Sequence, residues 1–252
     1  MSASERSSGS ASVSFALHNP SLTPIPRRRR LLYVTCKHSY AGYIDMVPMR
    51  PVNHRWIPGD IVGGNAALHL VNTVSGWNHD PEDWVPGTAS FLVWARTCGL
   101  LDAREKNEAA RRAERSPVAA GRVLASVKTL RLALWGLINS LQHRKPGAPG
   151  DLSVINEWRR RLAHSEQLVV RRNKIDVAIN RDISALELPG LRVTAAALSL
   201  LRDPPAARLK TCPAYDCGWK FVDQSKNRSR RWCDMAVCGN LAKARRYRAR
   251  NI

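Results

Sequence analysis

The chain has 252 residues, with 40 Lys and Arg against 20 Asp and Glu, for a formal net charge of +20. At 44% hydrophobic and 24% charged residues the composition is that of a globular protein, which excludes a fully disordered chain, and no run approaches the ~18 apolar residues of a membrane span. So large a positive excess points to a polyanionic partner, nucleic acid before any other.

The chain opens on a Ser-rich stretch over residues 2–14, followed by Pro20, Pro24, Pro26 and the four-arginine run Arg27–Arg30. Residues 1–55 read as a disordered extension, or as sequence lying before a later start at Met46 or Met49, with ordered patterning from Trp56. The arginine run reads as a solvated segment, with a DNA-tethering arm as the sharper alternative. No cationic stretch leads into an apolar one at the start, so a cytoplasmic location is expected and no membrane partner.

From residue 56 the patterning is that of a folded domain reaching residue 203. Gly63-Gly64-Asn65 lacks the spacing of a phosphate loop and reads as a tight turn before a helix carrying Leu68 and Val71. Thr88 is placed to cap a helix on which Phe91, Trp94, Ala95 and Cys98 share a face, with Gly99 as its stop and Cys98 as a core residue. The clearest helix covers 117–143, where Val127, Leu130, Leu134, Leu137 and Leu141 repeat at 3-4-3-4 spacing. Asp151 is placed to cap the next, with Ile155, Trp158 and Leu162 on one face. The period then falls to two: Leu168 and Val170, then Ile175, Val177 and Ile179, alternate around polar Arg171–Lys174, which predicts a β-hairpin. A last helix over 190–202 carries Leu191, Leu198 and Leu201, and Pro204-Pro205 ends it at a domain boundary.

Residues 207–252 hold a net charge of +9 and four of the six cysteines: Cys212-x4-Cys217, fifteen residues, then Cys233-x4-Cys238. Two close thiol pairs joined by a hairpin's length of chain match the tetrahedral demand of one zinc ion, closed to further ligands and therefore structural; disulfides and an iron–sulfur cluster are the alternatives. Four thiolates and Zn²⁺ together carry −2, so the metallated tail keeps about +7. The residues after Cys238 are helix formers in which Lys243, Arg246 and Arg250 share a face flanked by Arg245 and Arg248, while Arg228, Arg230 and Arg231 precede the second thiol pair. Cations on both sides of a zinc knuckle are a nucleic-acid footprint. Arg230 and Arg231, next to the rigid knuckle, are the expected base readers, and Leu241 and Ala244 are expected to pack against the metal centre.

These residues carry a resemblance. Cys212-Pro-Ala-Tyr-Asp-Cys217-Gly-Trp, Trp232-Cys233-Asp-Met-Ala-Val-Cys238-Gly-Asn240 and Lys243-Ala-Arg-Arg-Tyr-Arg248 resemble the CGNR zinc finger family, and Gly63-Gly64-Asn65-Ala66-Ala67-Leu68-His69-Leu70-Val71-Asn72-Thr73 is similar to the start of the ABATE domain that such proteins carry. The resemblance implies a bacterial, stress-related DNA-binding regulator with zinc on the four cysteines. The arginine that gives the finger family its name is Leu241 here.

The expected architecture is α+β: a predominantly helical domain (56–203) with a short β-hairpin, then a small treble-clef-like four-cysteine zinc finger (207–252) ending in a basic helix. The expected function is a zinc-stabilised DNA-binding transcriptional regulator, with an RNA-binding or ribosome-associated zinc protein as the alternative. The helical part is a candidate for holding a small-molecule effector or forming a homodimer. No enzyme is expected, since His69, His79, Asp80 and Asp83 have no recognised catalytic spacing.

Overall fold

The computed structural model describes residues 49–250 except 78, 181 and 206. The expectations for residues 1–48, including the arginine run, Cys36 and Met46, lie outside the described residues. Ordered structure begins before Trp56: a short strand β1 (Arg50–Pro51) runs parallel to β3 (Glu82–Asp83), which pairs antiparallel with β2 (Val74–Ser75).

The core is organised around one long helix. It is α4 (Pro117–Gln142), with Val127, Leu130, Leu134 and Ile138 buried along the predicted stripe. Against it lie α1 (Ala66–Val71), α2 (Thr88–Thr97), α3 (Ala103–Arg115), α5 (Pro149–Ser165) and α6 (Leu188–Arg202). Leu68 and Val71 come from α1, Phe91 and Trp94 from α2, Ile155, Trp158 and Leu162 from α5, and Leu191, Val193, Ala197 and Leu200 from α6. Gly190 permits a close crossing of α5 and α6, because a Cβ there would run into the Trp158 indole. The predicted hairpin is present, with β4 (Glu166–Arg171) antiparallel to β5 (Lys174–Ile179) and Val170 opposite Ile175.

Three local details differ from the sequence-based expectation. Thr88 is inside α2 rather than its cap; Gly87 precedes it in extended conformation, and its N–H donates to Ser90 Oγ at 3.2 Å. α5 starts two residues before Asp151, which sits in the first turn. Helix α3 is additional, although Asp102 and Glu105 form a reciprocal capping box at 2.7 and 2.9 Å that is readable as D-x-x-E. Cys98 packs on the core, and burial pushes its thiol up to about 12, so it is an inert core residue.

The small sheet brings a charge into this interior. Asp83, with its side chain 8% exposed, meets Arg131 Nη1 and Lys128 Nζ, each at 2.7 Å, and Arg131 also donates to Thr73 Oγ1 at 2.9 Å. Burial alone would raise the Asp83 carboxyl, but the hydrogen bonds and charges of Arg131 and Lys128 outweigh it and hold the group below its usual range. Asp83→Ala should therefore strand the Arg131 guanidinium in the core at a cost of about 3–5 kcal/mol, read as a lower chemical-denaturation midpoint. A loss below ~1 kcal/mol would show that the charge is solvated.

Candidate metal centre and nucleic-acid face

The tail folds as a knuckle, a hairpin and a helix. Strands β6 (Leu209–Thr211) and β7 (Lys220–Val222) pair antiparallel, and the turn between them carries Cys212 and Cys217. Gly218, at φ +72°, lets the chain turn back so that Cys212 N–H reaches Trp219 O at 2.8 Å. The second pair lies at the entry to the last helix. Asp234 accepts from Ala236 N–H at 2.6 Å, a π-turn spans Met235–Gly239, and α7 (Asn240–Arg250) follows directly. The arrangement is that of a treble clef.

The sulfurs of Cys212, Cys217, Cys233 and Cys238 all lie within 4.8 Å of one another, and all four residues are buried. Cys217 and Cys233, and Cys233 and Cys238, are 3.5 Å apart, far beyond a disulfide bond and close to the ~3.8 Å edge of a tetrahedron with ~2.3 Å Zn–S bonds. The donor chemistry also calls for a cation. Hydrogen bonds from its neighbours hold Cys212 well below the ordinary thiol range, while contact with Cys212 and burial push Cys217 and Cys233 up, so four thiolates cannot stand side by side unaided. The four cysteines form a site for one zinc ion. A bound zinc would be fully coordinated by them and would hold the two halves of the finger together.

The finger is also built into the helical part across Pro204-Pro205. Asn72 exchanges two hydrogen bonds with the Lys220 backbone, at 2.8 and 2.9 Å, as a neighbouring strand would. Trp219 Nε1 donates to Val74 O at 3.0 Å, Ser75 Oγ to Asp216 O at 2.8 Å, Gly76 N to Cys217 O at 2.8 Å and Val222 N to Gly63 O at 2.9 Å. The Gly63–Gly76 segment is thus the seat of the finger, and Gly64, at φ +78°, makes the predicted tight turn. At the centre Lys220, 3% exposed, donates to Asn139, Gln142 and Thr211 at 2.5–2.9 Å, and burial lowers its ammonium to about 8.

The eight predicted nucleic-acid cations divide into two groups. Arg230 donates to the carbonyls of Trp232, Cys233 and Val62 and lies 4.5 Å over the Phe221 ring. Its Nε and Nη2 hold the knuckle, which leaves Nη1 alone of the three nitrogens for the base contact expected of it. Arg245 is exposed but engaged, bonded to Asp216 Oδ2 at 2.6 Å and lying 5.8 Å over Tyr215, itself stacked on His79. Lys243, Arg246, Arg248 and Arg250 are on α7, and Arg228 and Arg231 are exposed on the preceding loop. That loop is fixed by buried Asp223, which accepts from Lys210 Nζ at 2.6 Å, Ser225 N and Arg230 N, while Lys210 also donates to Arg228 O and Arg230 O. Hydrogen bonds from Lys210 and Ser225 hold the Asp223 carboxylate low against the effect of its burial.

Leu241 and Ala244 do not pack on the metal centre. α7 buries no residue, and Leu241 is 53% exposed at the mouth of a cavity of ≈500 Å³ walled by Trp84, Trp219, Trp232, Tyr215 and Arg231. Lys220 and Asp223, the two side chains that set the junction and the loop, went unread in the sequence. Their signal is a charged residue on each side of Phe221-Val222 in a strand otherwise built for burial. Of the catalytic candidates, His69 has both ring nitrogens buried without a partner and is lowered to about 4 by burial, while Asp83 is held by Arg131 and Lys128.

Cys233→Ser should lose the bound zinc and lower the melting temperature of the entire chain, because β7 is part of the helical core's hydrogen bonding; a melting transition of the helical part left unchanged would show a separable tail. Lys220 has a folded-state pKa below its ordinary 10.5, so the unfolded chain holds more protons between about pH 8 and 10.5, and the penalty for burying the ammonium fades as pH rises through that window. Relative to Lys220→Met, the natural chain should gain stability from about pH 8 to about pH 10, by up to about 3 kcal/mol. Parallel stability curves for the two proteins would contradict the burial of the charge.

Comparison with known proteins agrees with this geometry. The CGNR zinc finger family matches residues 208–251, and the ABATE family, described as "Putative stress-induced transcription regulator", matches residues 64–207. No curated protein matches the chain. The ABATE match spans more than half of the chain and meets the finger match end to end, so the chain belongs to the ABATE family and continues into a CGNR zinc finger.

Proposed function

We propose that this regulator binds duplex DNA through the outer face of α7 and the loop before it, and that it catalyses no reaction. The observation that carries the reading is the sorting of cations. At ~100° per residue Lys243, Arg246 and Arg250 lie within about 60° of one another. Ala242, Arg245 and Arg246 border the cavity, Arg245 tied to Asp216 and Arg246 at the edge between the cavity side and the outer face. Arg228 and Arg231 extend the same charge from a loop pinned by Asp223. A rigid row of cations free of carboxylate partners fits the regular phosphate spacing of a duplex. Arg231, on the loop and 5.0 Å over Trp232, is the base reader we favour, since Arg230 keeps Nη1 alone for the purpose. A cytoplasmic site of action accords with this reading, and among the described residues no helix is long and apolar enough to cross a membrane.

Some five phosphate contacts give a slope of about −4.5 for log affinity against log salt. Lys243→Ala, Arg246→Ala and Arg250→Ala together should weaken binding to every duplex and flatten the slope by about 2.7, whereas Arg231→Ala should cost ~1–3 kcal/mol at one base position. Fluorescence anisotropy over a salt series checks both. Equal affinity for all duplexes together with tighter binding of single-stranded RNA would replace DNA with RNA as the partner.

A further inference from the structure

The cavity beside the zinc centre, at ≈500 Å³, has the size of a small-molecule site, for which about 300–1,000 Å³ is usual. It opens where the finger meets the helical part. Trp84 follows β3, Trp219 precedes β7, Trp232 stands beside the second thiol pair, and α7 closes the space with Leu241 and Ala242. Its aromatic walls are fixed by their own contacts. His54 stacks on Trp84 with ring centroids 3.9 Å apart, Trp219 meets Trp84 edge-on at 5.1 Å, and Trp219 Nε1 is held by Val74 O. Such a lining takes an aromatic body, and walls already in place reduce what binding must order.

The charged groups around the cavity decide the polar end of what fits. Its three carboxylates are already engaged. Asp60 Oδ2 accepts from Ile57 N–H and meets His54 Nε2, both at 2.9 Å, Asp216 is bonded to Arg245, and Asp234 accepts from Ala236 N–H. Arg231 and Arg246 also border the cavity, both are exposed, and among the described residues neither has a carboxylate partner. Arg231 lies over the Trp232 ring, and Arg246 meets the Ala242 carbonyl of its own helix at 3.4 Å. Buried Cys217, Cys233 and Cys238 border the cavity away from that rim, and with Cys212 and a zinc ion they carry −2. A negative group is therefore driven from the thiolates toward the two guanidinium groups. We propose that this cavity binds a small aromatic acid, with its ring among Trp84, Trp219 and Trp232 and its carboxylate at the rim that carries Arg231 and Arg246.

The site itself stands on the cavity; its consequence rests on the DNA reading. Arg231 and Arg246 belong to the cation row assigned to duplex DNA, and a guanidinium neutralised by a bound carboxylate is withdrawn from phosphate or base. Acid and duplex therefore oppose each other, and by linkage each weakens the other's binding by the same factor.

Isothermal titration calorimetry on the full-length, zinc-loaded chain tests the site with 2-naphthoate, its neutral amide 2-naphthamide, the cation 2-naphthyltrimethylammonium, and acetate. One 2-naphthoate should bind per chain with a Kd on the order of 10–100 micromolar, the amide and the cation at least about ten-fold more weakly, and acetate not at all. Arg231→Gln with Arg246→Gln should bring 2-naphthoate down to the amide's affinity and leave the amide and the zinc content unchanged. Ala242→Trp, which fills the cavity from α7, should abolish binding of both. No binding of 2-naphthoate, an amide or cation that binds as tightly as the acid, or either variant binding 2-naphthoate like the natural chain overturns the site. In anisotropy titrations, saturating 2-naphthoate should weaken duplex binding by the natural chain at least about five-fold and leave the Ala242→Trp chain unaffected. Unchanged duplex affinity overturns the antagonism. A chain that takes 2-naphthoate as expected but binds no duplex overturns the DNA reading and leaves the site standing.

Discussion

The buried ammonium of Lys220 is the point on which the molecule turns. It has no carboxylate partner; its charge is met by the oxygens of Asn139, Gln142 and Thr211, and its own backbone is paired with the Asn72 side chain. An unpaired charge in such a place is tolerable only when every donor finds an acceptor in fixed geometry. That demand ties the end of α4, the end of α1 and the strand behind the first zinc knuckle to one another. The finger is held in one orientation by the helical core, and the orientation of α7 follows from it.

The same logic reassigns much of the tail's positive charge. Arg208 donates to the carbonyls of Asp223 and Ser225, Lys210 to Asp223 and two loop carbonyls, Lys220 to the junction, and Arg230 to the knuckle. These cations are structural: they replace the hydrogen bonds that a module too small for a large hydrophobic core cannot draw from regular secondary structure. What faces solvent is a smaller, better ordered set on α7 and the loop. Formal charge points to the tail, but it overstates how many cations are left to meet a partner there.

The parts of the fold legible from sequence were those fixed by short-range periodicity. The stripe of α4, the alternation of β4–β5 and the thiol spacing each specify their structure locally, and the structure has all three. Side-chain commitments at long range were not legible. Arg230 and Arg231 are adjacent and chemically alike, yet one is drawn inward by carbonyls from Val62 and Cys233 while the other remains exposed. Leu241 was expected to pack inward because it is apolar, but the π-turn before α7 rotates it to the cavity mouth. Gly63–Asn72 read as a turn and a helix, which it is, but its role as the finger's seat depends on a segment almost 150 residues away.

The buried lysine also sets an order of events during synthesis. Residues 64–207 leave the ribosome before the finger exists, and at that stage Asn72, Asn139 and Gln142 have no Lys220 to answer them. The helical part is complete in sequence but not in hydrogen bonding until β7 emerges and docks. Cys233 and Cys238 emerge after β7, so the four-thiolate site can close only once that strand has been made. Maturation therefore runs from core to strand to ion, and a chain truncated just after Pro205 would keep its apolar core while exposing the polar seat built for the finger.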